Sequence, residues 1–235
     1  MTPWPNDRDT VRSQYAREDG LRTRMSIWQP PADGVTPQDV AVAELRRAAP
    51  GRLLEIGCGT GLLAERLVGE LPDTEVLATD QSERMVELTA ARGVTARVAD
   101  AGDLPFPDDS FDAVVAAWML YHVPDLDRAL AQVRRVLRPE GIFVAITNGD
   151  EHTAELLEAA GGERLITQFS RENGEAALRR HFDQVSARHL TPFAVADHAR
   201  ARAYLASFDP ALAEALPPYD GERRYRGAVT VFTAR

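Results

Sequence analysis

Residues 53–61 read Leu-Leu-Glu-Ile-Gly-Cys-Gly-Thr-Gly, and they give the most specific indication of the fold in this sequence. An apolar run contains Glu55 and ends at Ile56, three glycines alternate at positions 57, 59 and 61, and a helical pattern begins at Leu62. The pattern predicts a buried strand, a tight turn and a helix. Because glycine accepts positive φ and lets a ligand approach the backbone, we expect a nucleotide-sized binding site at this turn.

The residue that follows the third glycine bears on the class of ligand. A dinucleotide fingerprint, G-x-G-x-x-G, requires its last glycine where this chain has Leu62. Glu55, ahead of the turn, would repel a pyrophosphate but suits an ammonium group. S-adenosylmethionine (SAM) carries an ammonium and a sulfonium and no phosphate, so the turn favours SAM over NAD. Two alternatives stay open, which are an NAD-dependent oxidoreductase and a SAM-binding protein without catalytic activity.

Bulk composition narrows the class of protein. The chain has 235 residues, of which 44% are hydrophobic, and this predicts one α/β domain over residues 1–235. A formal net charge of −9 argues against a nucleic-acid partner or an anionic membrane. Cys58 is the one cysteine, so no disulfide framework is expected, and no apolar run reaches about 18 residues. We therefore expect a cytoplasmic protein.

Strands and helices alternate along the rest of the chain. Strands are predicted at 52–56, 75–79, 94–99, 111–117 and 142–147, with helices at 38–48, 62–70, 82–93 and from 126 to about 138. Further helices are predicted near 156–160, 170–182 (with Ser170 as N-cap) and 196–208, and further strands at 184–191 and 226–233. Five strands joined in this way imply a parallel sheet with right-handed crossovers.

Candidate site residues fall at the carboxyl ends of these strands, where open parallel sheets bind ligands. Asp80 can accept hydrogen bonds from both ribose hydroxyls, and Asp100 from an adenine amino group, while the Ala101 N–H can donate to the adenine ring. Met85 could lie against the adenine, although a methionine on a helix is as often core. The candidate cofactor-binding residues are Glu55, Gly57, Cys58, Gly59, Gly61, Asp80, Gln81, Met85, Asp100, Ala101, Ala117 and Trp118. For Cys58 we expect a small residue in a turn rather than a nucleophile.

Three stretches carry a family resemblance: LLEIGCGTG (53–61), VLATDQSERMVELTA (76–90) and the region from VADAGDLPFPDDSFD to RVLRPEGIFVA (98–145). They resemble class I SAM-dependent methyltransferases, and most of all the UbiE-like "methyltransferase domain 11" branch, whose members mostly methylate small molecules. The resemblance implies a Rossmann-like, doubly wound seven-stranded sheet in the order 3-2-1-4-5-7-6 with strand 7 antiparallel. It also implies that SAM is bound and S-adenosylhomocysteine released. Glu140 departs from the glycine usual in the branch, which concerns a turn and not the chemistry.

The acceptor side is predicted from less specific signals. Residues 1–37 are expected to form an N-terminal helical lid, because YAREDGLRTRMSIW (15–28) resembles a segment that precedes the domain in some members of the branch. Tyr15, Arg24 and Trp28 are its candidates for contact with the SAM carboxylate or with substrate. The alternative is a helix packed on the edge of the sheet.

A hydroxyl or carbon nucleophile can require a general base, and histidine is the side chain most often used for that role. His122 is the first candidate, with a structural hydrogen bond to Asp125 as its alternative role, and His152 is the second. Tyr121 could line the acceptor pocket, and residues 150–222 are expected to cap it. Asp150, Glu151 and His152 are adjacent and do not form a convergent ligand set, so no metal is expected. The acceptor, the atom that is methylated, the need for a base and the oligomeric state stay open.

Overall fold

Two β-sheets organise the part of the chain that the computed structural model describes, which is residues 23, 24, 26–31 and 33–235. The strands are β1 (Trp28–Gln29), β2 (Arg52–Ile56), β3 (Glu75–Asp80), β4 (Thr95–Val98), β5 (Phe111–Ala117), β6 (Leu137–Asn148), β7 (Val185–Leu190), β8 (Phe193–Ala196), β9 (Arg223–Arg226) and β10 (Val229–Ala234). The helices are α1 (Pro37–Ala48), α2 (Leu62–Glu70), α3 (Glu83–Ala91), α4 (Leu126–Val136), α5 (Ala154–Ala159), α6 (Gly174–Leu178), α7 (His198–Ala206) and α8 (Pro210–Ala215), with a 3₁₀ turn at Leu120–His122.

The larger sheet has seven strands in the order β4-β3-β2-β5-β6-β10-β7. β10 pairs antiparallel with both β6 and β7, and the other neighbours are parallel. Numbered within this sheet alone, the order is 3-2-1-4-5-7-6 with strand 7 antiparallel, so the prediction is confirmed. The order reverses beside β2, which places the glycine turn at the switch point where such sheets bind ligands.

Both faces of this sheet are covered, which explains why its central strands read as continuous apolar runs. Val114 and Val115 are neighbours on β5 and both are fully buried. Val114 packs in the cluster that holds Leu130 of α4, while Val115 packs in the opposite cluster with Leu45 of α1. The two layers of helices fix the carboxyl ends of the strands in place, and the candidate site lies at those ends.

The smaller sheet joins the N-terminal segment to the later part of the chain. Its order is β1-β8-β9, with Trp28 opposite Ala194 and Ala194 opposite Tyr225. A separate apolar cluster, which includes Ile27 and Leu205, packs beneath it. The described end of the predicted lid and part of the predicted cap therefore form one structural unit.

Several element boundaries differ from the sequence predictions. The helix predicted over 170–182 is confined to α6, and its N-cap is Asn173 rather than Ser170, whose hydroxyl instead accepts from the Glu172 N–H at 3.2 Å. α4 ends at Val136, and β6 begins at once instead of at residue 142. β1, β8, β9 and α8 were not predicted, because runs of two to six residues show too little periodicity to be recognised.

Candidate active site

The glycine turn between β2 and α2 adopts a backbone that other residues rarely accept. Gly57, Gly59 and Gly61 have φ values of 68°, 54° and 78°. A Cβ on Gly57 would lie 2.7 Å from the Met119 side chain, and one on Gly61 would lie 2.8 Å from the Thr89 Cα. Gly57 and Gly61 are therefore required by the packing as well as by φ, and Gly59 by φ.

Asp80 ties this turn to the next strand and helix. Its Oδ2 accepts from the Gly59 N–H at 3.0 Å, and its Oδ1 accepts from the Ser82 N–H at 2.9 Å. Burial raises the pKa of Asp80, and the hydrogen bonds from these backbone N–H groups oppose that shift. Each carboxylate oxygen has a second lone pair, so Asp80 can hold the turn and still accept a hydrogen bond from a ligand.

Glu55 is a buried acid whose environment lacks a compensating charge. It is 1% exposed, and its Oε2 has no hydrogen-bond partner among the residues that the structure describes. Burial, and then the negative charge of Asp80, raise the pKa of Glu55 to about 8. The carboxyl is therefore protonated at neutral pH, and a cation beside it would favour the ionised form.

A cavity of about 680 Å³ opens at the carboxyl ends of the strands. One part of the cavity, which we call the cofactor side, is lined by Glu55, Gly57, Cys58, Gly59, Asp80, Gln81, Met85, Asp100, Ala101 and Ala117. The other part, which we call the acceptor side, is lined by Arg24, Trp28, Pro30, Pro31, Tyr121, His122, Asn148, His152, Pro192, Tyr204 and Val229. Such a volume lies near the middle of the range of about 300–1,000 Å³ found for small-molecule sites.

The cavity gathers nearly all of the predicted site residues. Gly61 does not line it, because this glycine lies behind the turn against Thr89. Tyr15 lies outside the described residues. Burial raises the pKa of the Cys58 thiol to about 12, so the thiol stays protonated and its place in the turn is that of a small residue.

Neither histidine has the pKa of a general base. Burial, and then the charge of Arg24, lower the pKa of His122 to about 3. Burial, and to a smaller extent Arg171, lower the pKa of His152 to about 4, and the nearby Ala228 backbone opposes that shift. Both imidazoles are therefore neutral at working pH and are weak proton acceptors.

Sequence reasoning missed Asn148, which ends β6. The Nε1 of Trp118 donates to the Asn148 Oδ1 at 3.0 Å, and this bond joins the end of β5 to the end of β6. Trp118 has a φ of 54°, which is uncommon for a bulky residue. Asn148 could have been found by the feature that identified Asp80, which is a polar residue at the carboxyl end of a predicted strand.

No group of three or more histidine, cysteine or acidic side chains in the described part of the chain could hold a metal ion. None of the described helices has the length and apolar character needed to cross a membrane.

Several known proteins that are similar to this chain in sequence are methyltransferases. Residues 54–145 match the family of methyltransferase domains. A demethylmenaquinone methyltransferase of Symbiobacterium thermophilum is 36% identical over 107 residues, which are 41% of this chain and 43% of the relative. A malonyl-[acyl-carrier protein] O-methyltransferase of Geobacter sulfurreducens is 34% identical over 148 residues, which are 56% and 55% of the two chains. The chain thus spans about half the length of the curated relatives it matches.

The fold is also found among solved structures. The structure of the [4+2]-cyclase SpnF matches over 100% of this chain and 97% of its own, with a TM-score of 0.60 and 20% identity. At that identity the match shows a common fold and does not extend to chemistry.

Proposed function

We propose that residues 54–145 form a class I methyltransferase domain of the UbiE-like type. On this basis, we infer that the protein transfers a methyl group from SAM to a small-molecule acceptor. One observation carries the proposal. The glycine turn, the buried Glu55 and the carboxylate of Asp80 line one cavity at the switch point of the sheet. An NAD-dependent oxidoreductase is not favoured, because Leu62 replaces the last glycine of the dinucleotide fingerprint.

The residues of the cofactor side fit SAM better than a phosphate-bearing cofactor. The unpartnered Oε2 of Glu55 would accept from an ammonium group, and Asp80 would accept from the ribose hydroxyls. Asp100 and the Ala101 N–H would hold the adenine, with Met85 beside the ring. SAM supplies a methyl group on a sulfonium, which is already a strong electrophile, so the protein's contribution is to align the reactants and exclude water.

The acceptor side suits a compact and partly apolar molecule. Trp28, Pro30, Pro192 and Tyr204 provide apolar walls, and Arg24 provides a positive charge. The smaller sheet carries Trp28 over this part of the cavity and would exclude water during transfer. Five expectations from the sequence stay predictions. They are the single domain over 1–235, the lid over 1–37, the cap over 150–222, the cytoplasmic location and the absence of a nucleic-acid partner.

Isothermal titration with SAM, S-adenosylhomocysteine and NAD tests the proposal. We expect both sulfur nucleosides to bind with 1:1 stoichiometry and NAD not to bind. Transfer of labelled methyl from SAM into small-molecule acceptors then distinguishes an enzyme from a SAM-binding protein. Tight NAD binding, or no binding of either sulfur nucleoside, would refute the proposal.

A further inference from the structure

Asn148 is held in one orientation by Trp118. An indole N–H can only donate, so the Asn148 oxygen must face it across the 3.0 Å hydrogen bond, and this turns the Nδ2 away from the indole. Asn148 lines the cavity, and its Nδ2 has no hydrogen-bond acceptor among the residues that the structure describes. The backbone of Trp118 is fixed by its N–H, which donates to the Ile146 carbonyl at 2.8 Å. A strained conformation that is held from both sides is typical of a functional position.

His152 offers a second donor on the same side of the cavity. Its ring stacks on Trp28, with centroids 4.4 Å apart, and its Nδ1 lies 3.2 Å from the Ala228 N and 3.1 Å from the Ala228 O. The Ala228 carbonyl already accepts from the Gly149 N–H at 2.8 Å, whereas the Ala228 N–H needs an acceptor. We therefore assign Nδ1 as the acceptor and place the hydrogen of the neutral ring on Nε2. That nitrogen has no partner among the described residues and is available to a ligand in the cavity.

Charge is divided between the two sides of the cavity. The acidic residues that line it are Glu55, Asp80 and Asp100, at the ends of β2, β3 and β4. The acceptor side, as far as the structure describes it, carries Arg24 and no carboxylate. An ammonium group would find no counter-charge there, whereas an oxyanion would meet donors and a positive charge.

We propose that the Asn148 Nδ2 and the His152 Nε2 bind the reacting oxyanion of the methyl acceptor, so that the acceptor is a carboxylate or phenolate and the reaction is an O-methylation. This inference rests on the proposed function and names its substrate class. An electron pair of the oxygen forms the new C–O bond while the methyl–sulfur bond breaks, and that pair stays on sulfur. The acceptor enters without its proton, so the step requires no general base. Trp118 acts through Asn148 and is a positioning residue.

The test uses two probes that share a ring and carry opposite charges. Benzoate and benzylamine are titrated into the protein saturated with S-adenosylhomocysteine. We expect benzoate to bind more tightly than benzylamine. Asn148→Asp keeps an oxygen facing the indole but replaces the donor with a carboxylate, so benzoate should bind about 10- to 100-fold more weakly and benzylamine more tightly. Gln184→Glu, an exposed position outside the cavity, adds the same charge and should leave both affinities unchanged.

Trp118→Phe separates positioning from a general effect on the fold. It removes the indole donor, so benzoate should bind more weakly, and Trp118→Phe should add little once Asn148 is aspartate. Equal or tighter binding of benzylamine by the unmodified protein, no binding of benzoate, or unchanged affinities in Asn148→Asp would overturn the inference. An equal loss of S-adenosylhomocysteine affinity in Asn148→Asp would also overturn it, because the donors would then hold the cofactor. Failure of the unmodified protein to bind S-adenosylhomocysteine would instead refute the proposed function.

Discussion

Glu55→Gln is expected to stabilise the SAM-free protein at neutral pH. The pKa of Glu55 is raised from 4.5 to about 8 by burial and by Asp80, so the folded protein retains a proton that the unfolded chain has released. Its contribution to stability is complete below pH 4.5 and is lost as the pH rises through about 8. Over the interval from pH 4.5 to pH 7, at 1.36 kcal/mol per unit, the loss is about 3 kcal/mol, and above pH 8 it approaches about 5 kcal/mol.

Urea denaturation of both proteins between pH 5 and pH 9 measures this difference. The curves of unfolding free energy should diverge by up to about 1.4 kcal/mol per pH unit until pH 8 and then run parallel, with the glutamine variant higher. Glu75→Gln, on the exposed end of the neighbouring strand and paired with Arg52, should change stability by less than about 1 kcal/mol. Parallel curves for Glu55→Gln and the unmodified protein across pH 5–8 would show that Glu55 is not a buried neutral acid.

The same substitution should weaken SAM binding. An ammonium group beside Glu55 favours the carboxylate, so binding at pH 7 should release close to one proton from the unmodified protein. Calorimetry in two buffers with different ionisation enthalpies measures that proton directly. Glu55→Gln should release none from this site, and equal release by both proteins would contradict the placement of the ammonium group.

Three further substitutions test other parts of the site. Asp80→Ala should weaken SAM binding by about 2–3 kcal/mol, measured by calorimetry, because charge-assisted hydrogen bonds are lost; unchanged affinity would refute the ribose assignment. His122→Ala should spare SAM affinity, and NMR should find the imidazole of His122 in the unmodified protein neutral down to about pH 4; a midpoint near 6.5 would contradict its buried position. Gly61→Ala should destabilise the fold by more than about 2 kcal/mol, whereas Gly93→Ala, with φ of 81° but open space around it, should cost about 1 kcal/mol; equal losses would show that strain and not contact decides.

The cofactor side could be predicted because its information is local. The alternation of glycines at 57, 59 and 61 specifies a turn. An acidic residue at the end of a buried strand indicates either a ligand-binding side chain or a cap for the backbone N–H groups that follow. Asp80 caps the turn through the Gly59 N–H, and it also lines the cavity. The order of the large sheet was implied by the resemblance and was confirmed by the structure.

The acceptor side could not be predicted because it depends on long-range pairing. β1 and β8 are separated by more than 160 residues, and neither has enough length to be recognised as a strand. The role of Asn148 follows from the backbone of Trp118, whose positive φ has no signature in the sequence. Both histidines that the sequence offers as candidate bases line the cavity, but burial lowers their pKa values, and burial is a property of the assembled fold.

The division of charge across the cavity would favour both the transfer of the methyl group and the release of the methylated product. On the proposed chemistry, a sulfonium and an oxyanion approach each other and become a neutral thioether and a neutral ester or ether. Bringing two opposite charges together and cancelling them is favoured in a site that excludes water, because the transition state carries less charge than the reactants. The donors of the acceptor side hold the anion more strongly than its neutral product, since charge-assisted hydrogen bonds are roughly twice as strong as neutral ones. The arrangement that assembles the reactants therefore also lowers the affinity for the methylated product.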